Sequence, residues 1–93
     1  MSNLSQYVIE NNIIMQYIGD AEIEIIPEEI TGINEMAFNG ATVKKVVLPK
    51  SMKRIDRKSF CYCHNLEEIV IPEGVTVISE SAFSGCSLSK GIK

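Results

Sequence analysis

The chain has 93 residues and a formal charge of −3 at pH 7; its 45% hydrophobic and 23% charged content is ordinary for one small globular domain. No apolar run reaches the length of a membrane-spanning helix, and no positive segment leading into an apolar core opens the chain. Membrane insertion is therefore excluded from this reading, and no export signal is carried, so the chain reads as cytoplasmic as written. A chain this short buries only a modest core, which gives its ends weight in the stability.

In chain order, Met1 to Ser5 reads as a frayed end. Tyr7-Val8-Ile9 and Ile13 to Ile18 are two β-rich runs, and Glu10-Asn11-Asn12 between them reads as a hairpin turn. Gly19-Asp20 then turns the chain into a different regime. Pro27, Pro49 and Pro72 recur at intervals of 22 and 23 residues, and Phe38, Phe60 and Phe83 each follow eleven residues later. Apolar residues stand three and six places after each proline: Ile30 and Ile33, Met52 and Ile55, Val75 and Ile78. A small residue precedes each phenylalanine: Ala37, Ser59, Ala82. A unit of this length cannot bury its own apolar face, so the repeats must stack as a solenoid.

The last unit, Leu66 to Cys86, is the clearest. Leu66, Ile69 and Ile71 have the spacing of a short strand with one buried face. Pro72 removes a backbone donor and ends the strand, and Glu73-Gly74 supplies a turn. Val75 and Ile78 are expected inward, and Ser79 to Gly85 reads as one tight helical turn carrying Ala82 and Phe83. Phe60 is expected between Phe38 and Phe83 in one internal column, stacked on both sides.

The pattern Leu-x-x-Ile-x-Ile-Pro-x-x-Val-x-x-Ile-x-x-x-Ala-Phe-x-x-Cys resembles the BspA-like, or Treponema pallidum type, leucine-rich repeat, over roughly Ile23 to Leu88. The resemblance implies an α/β fold: a short solenoid with a parallel sheet on the concave face and tight helical turns on the other side. Residues 1–22 are expected as an N-terminal β-hairpin cap, and 23–93 as an array of about three units with a stunted C-terminal end. The first unit departs from the pattern, with Ala41 in place of Cys63 and Cys86, and Glu24 in place of the inward Val46 and Ile69. A bulge at Glu24 would put Ile23 and Ile25 inward instead. Members of this family are often found at cell surfaces, and the resemblance implies a protein-binding module with an unspecified partner.

Seven of the nine basic residues fall between Lys44 and Lys58, against one acid, Asp56. Such a segment suggests a nucleic-acid or anionic-membrane patch. The repeat register favours a plainer reading, since Lys44 aligns with Glu22 and Glu67, Lys50 with Glu28 and Glu73, and Arg57 with Glu35 and Glu80. Stacked coils would then alternate in sign as charge ladders, and no nucleic-acid partner is expected. Cys61, Cys63 and His64 suggest a metal, but four ligands cannot be assembled from them with ordinary spacing. Three cysteines and no export signal favour free thiols, although stacking makes a Cys63–Cys86 disulfide conceivable. No nucleophile has a partner base and no phosphate loop is present, so neither a cofactor nor catalysis is expected.

What remains is a surface. Alternation puts Ile25, Val47 and Val70 on the outer side of the three strands, with Lys45 and Glu68 beside them. These five residues are the candidate partner-binding face; the plainer alternative is that β-branched residues simply stack well on exposed strands. Leu88 and Ile92 are expected in a degenerate last strand without a convincing cap. Open strand edges recruit other chains, so association through the C-terminal end is expected, most simply as an antiparallel two-fold dimer. A self-assembling structural fragment is accordingly the rival to the binding module.

Overall fold

The computed structural model describes residues 4–93. The expectation for Met1 to Asn3 lies outside the described residues. Leu4 and Ser5 are not frayed: they form a turn closed by the Tyr7 amide on the Leu4 carbonyl at 3.0 Å, and Leu4 packs on the core.

The hairpin comes first. Strands β1 (Tyr7–Glu10) and β2 (Ile13–Tyr17) pair antiparallel around Asn11 and Asn12. Both asparagines have positive φ, 52° and 64°, which is the backbone a two-residue type I′ turn requires and which asparagine tolerates better than most residues. A register irregularity lies between Val8 and Ile9 in β1.

Beyond it the chain winds as a β-solenoid of about four turns. Each turn contributes one strand to each of two sheets. The four-stranded sheet runs β3 (Ile23–Ile25), β5 (Lys45–Val47), β7 (Glu68–Val70), β9 (Gly91–Ile92), all parallel. The second sheet runs β1, β2, β4 (Gly32–Ile33), β6 (Arg54–Ile55), β8 (Val77–Ile78), parallel from β2 onward. A single parallel sheet was expected; the residues around Ile33, Ile55 and Ile78 build another. Leu88 stands outside β9, in a turn of left-handed backbone.

The expected helical turns are absent: the described residues contain no helix. The segments around the phenylalanines are chains of overlapping turns, such as Asn39 amide to Met36 carbonyl at 3.1 Å and Ala41 amide to Phe38 carbonyl at 3.0 Å. Met36, Lys58 and Ser81 have φ of 60°, 57° and 61°, and four residues on Gly40, Tyr62 and Gly85 have 73°, 60° and 81°. A left-handed residue ends a right-handed helix, so two of them so close leave no room for one. The intervening amides are also taken, because Phe38 donates to Ser59 at 2.7 Å and Phe60 to Ala82 at 2.9 Å, each on the next coil. Small, polar or glycine residues at these places are compatible with a turn or a helix alike, which is why the spacing misled.

The core is a set of columns along the solenoid. Ile30 with Met52, Ile33 with Ile55, and Val46 with Ile69 are fully buried. Ile78 departs from expectation: it is 51% exposed, because β8 has a neighbour on one side only, and Val75 is half-buried. The aromatic column is longer than expected. Phe38 and Phe60 stack with ring centroids 4.8 Å apart and Phe60 and Phe83 at 5.5 Å, and Tyr17 of the hairpin continues the column below Phe38.

Candidate interaction face

Because strand side chains alternate, one row of the four-stranded sheet points in and two rows point out. The first strand keeps register: Glu24 pairs with Val46 and Val46 with Ile69, all inward, so no bulge forms at Glu24. Outward lie two rows. One is Ile25, Val47, Val70; the other is Ile23, Lys45, Glu68, Gly91. Ile25 is 71% exposed and Ile23 58%, while Val47 and Val70 are half-buried by their neighbours. The structure thus brings Ile25, Lys45, Val47, Glu68 and Val70 together on one surface.

Charges frame the apolar row. Lys45 Nζ lies 3.7 Å from Glu68 Oε2 within the face. One position earlier on each coil, Lys44 sits 3.7 Å from Glu22, and Lys90 3.5 Å from Glu67. A groove runs along these pairs, and Ile23 is the apolar residue in its lining. Ile23 and the column Glu22, Lys44, Glu67, Lys90 were not among the candidates. Ile23 has the same strand parity as Ile25, and that parity was the signal available for it.

Glu24 anchors the face from beneath. It is 4% exposed, and its carboxyl accepts the Tyr7 hydroxyl at 2.5 Å, the Tyr17 hydroxyl at 2.7 Å and the Gln6 side-chain amide at 3.3 Å. A buried carboxyl is tolerable only with such partners. Burial and the Glu24 carboxyl push the Tyr17 phenol up to about 12, and the Tyr7 phenol higher still. The hairpin is therefore tied to the first coil at the position where the sequence breaks the repeat.

Four of the seven basic residues between Lys44 and Lys58 are ion-paired. Arg57 reaches Glu35 at 3.7 Å and Arg54 reaches Asp56 at 2.7 Å, in addition to the Lys44 and Lys45 pairs. The ladders are incomplete among the described residues: Lys44 pairs with Glu22 but not with Glu67, Lys50 makes no ion pair, and Arg57 pairs with Glu35 but not with Glu80. Cys61 and Cys63 are buried, and the His64 ring faces that of Tyr62 at 6.0 Å.

A family model described as a BspA type leucine-rich repeat region matches residues 1–92, in six copies. The chain belongs to the BspA-type leucine-rich repeat family. The match takes in the hairpin, in keeping with Tyr17 occupying the phenylalanine position of a preceding coil: its amide donates to Ala37 at 2.8 Å as Phe38 does to Ser59. Curated proteins and solved structures gave no significant match. BspA-type repeats are generally binding modules rather than enzymes.

Proposed function

We propose that this chain is a protein–protein interaction module that docks its partner on the outer face of the β3-β5-β7-β9 sheet. The observation that supports this reading is the outward apolar row of exposed Ile25 and half-buried Val47 and Val70 beside the Lys45–Glu68 pair. A half-buried apolar row gives area for contact, and a rim of alternating charge gives orientation. The test is selection of displayed peptides and small domains on the immobilised chain, with the retained clones screened against Ile25→Lys, Val47→Lys and, as a control in the turn after β8, Glu80→Lys. Binding that is lost on the first two variants and kept on the third supports the face. Clones that bind all three equally place the docking surface elsewhere.

The second reading is self-association through the last coil. It is favoured by the exposure of Val77, Ile78 and Ile92 beside the open edges of β8 and β9. Such edges accept a strand from a second copy as readily as from a further coil. Light scattering decides: a dimer that Val77→Lys converts to monomer supports it, and a monomer at high concentration removes it.

A further inference from the structure

Cys63 and Cys86 occupy the same place on successive coils, and the turn chains around them bring more than their backbones together. The Cys86 Sγ lies 3.1 Å from the Phe60 carbonyl oxygen, which also accepts the Cys63 amide at 3.3 Å. The later sulfur therefore hangs over the backbone of Cys63. The corner is held in register just before it. Tyr62 donates its amide to Ser84 at 2.7 Å, and a Cβ on Gly85 would come within 3.2 Å of the Tyr62 Cα. Coils stack about 4.8 Å apart where their strands pair, a spacing inside the Cα separation of about 4.4–6.8 Å that a disulfide spans, and the Tyr62–Ser84 bond holds the same two coils together just before the cysteines. The Cys63 Sγ presently donates to the Phe38 carbonyl at 2.9 Å, and rotation about its Cα–Cβ bond is the motion by which it would leave that acceptor for Cys86.

We infer that Cys63 and Cys86 are a redox pair, which closes to a disulfide between adjacent coils when the chain meets a small disulfide of the oxidised-glutathione class. The two thiols differ in access: Cys63 is fully buried, whereas Cys86 is half-exposed. They also differ in acidity. The Cys86 side chain and burial hold the Cys63 thiol protonated, while the Cys63 side chain makes Cys86 the more acidic. The attacking group is the thiolate, so Cys86 reacts first.

In the first step Cys86 releases its proton to solvent, and its sulfur attacks one sulfur of glutathione disulfide. The glutathione S–S bond breaks, a Cys86–glutathione bond forms, and one glutathione leaves and takes up a proton. In the second step Cys63 gives up its proton and attacks the Cys86 sulfur, expelling the other glutathione. Two cysteine thiols are oxidised and one glutathione disulfide is reduced to two thiols. The new bond closes a loop containing β7 and β8, which restricts the unfolded chain. Cys61 takes no part, because its aligned position on the next coil is Ser84 rather than a cysteine.

The experiment treats the whole native chain with oxidised glutathione and maps it by digestion under non-reducing conditions and mass spectrometry. The expected product is a Cys63–Cys86 linked peptide from a chain two hydrogens lighter, of monomeric mass, with a raised Tm that reductant reverses. Cys63→Ala stops at the Cys86–glutathione adduct, and Cys86→Ser leaves the native chain unmodified at Cys63. Should Cys63→Ala fail to fold, the time course of the wild-type chain still serves, since the adduct must appear before the link. A wild-type chain that accumulates the adduct without closing, one linked through Cys61, or one in which no cysteine reacts would each overturn the inference.

Discussion

The Tyr17 ring stacks on that of Phe38 with centroids 4.5 Å apart and planes 11° from parallel, so the hairpin ends in an aromatic residue that extends the phenylalanine column of the coils. Phe38 thereby has a ring on both sides, as Phe60 does. Expecting Phe60 alone to be sandwiched overlooked the tyrosine.

Truncation of either inner ring is expected to be severe. Phe38→Ala and Phe60→Ala should each cost about 3–5 kcal/mol, a large share of what a domain of this size has. Phe83→Ala should cost clearly less, since Phe83 is only half-buried. Denaturant melts check this; a Phe38→Ala loss no larger than that of Phe83→Ala would mean that Tyr17 does not continue the column.

The Glu24 cluster should behave as a unit. Glu24→Val leaves the Tyr7 and Tyr17 hydroxyls buried without their acceptor, and each such group costs about 1–3 kcal/mol. Adding Tyr7→Phe and Tyr17→Phe removes those hydroxyls and should recover most of the loss, because apolar replacement of a whole buried polar network is often nearly neutral. Additive losses across the three substitutions, measured as a multiple-mutant cycle, would show that the hydroxyls do not depend on Glu24.

Alkaline pH should loosen the same cluster. The Tyr17 phenol is raised from 10.0 to about 12 in the folded chain and Tyr7 is raised further, so the unfolded chain loses these protons first. Their contribution is fully present below about pH 10 and is lost as pH rises toward 12 and beyond. Melts across that window should show falling Tm, with the phenolate absorbance of Tyr7 and Tyr17 appearing together with unfolding. Phenolate signal from all three tyrosines well before unfolding would contradict the buried arrangement.

Ser59 stands where the other units have Ala37 and Ala82, and it is fully buried with no partner for its hydroxyl among the described residues. Ser59→Ala should therefore stabilise the chain, by about 1 kcal/mol. A destabilisation of that size in denaturant melts would show that the hydroxyl has a partner after all.

The solenoid was legible in the sequence because a repeat forces one geometry on many residues at once. Pro27, Pro49 and Pro72 set the coil length, and alternation around Val46 and Ile69 set inward and outward faces, including Ile25, Val47 and Val70. Local rules suffice for that, since strand parity and proline backbone chemistry act over a few residues. The hairpin turn at Asn11-Asn12 was legible for the same reason.

Three features waited for the tertiary structure. The segments around the phenylalanines are turns rather than helices, because amides such as those of Phe38 and Phe60 bond to the adjacent coil, a choice that spacing within one coil does not encode. Glu24 keeps its place in the inward row because Tyr7 and Tyr17, remote from it in the chain's local pattern, bring their hydroxyls to it. Tyr17 takes a position in the phenylalanine column although its own segment lacks the repeat's proline. Each depends on what stacks beside a residue, and stacking is settled only when the coils meet.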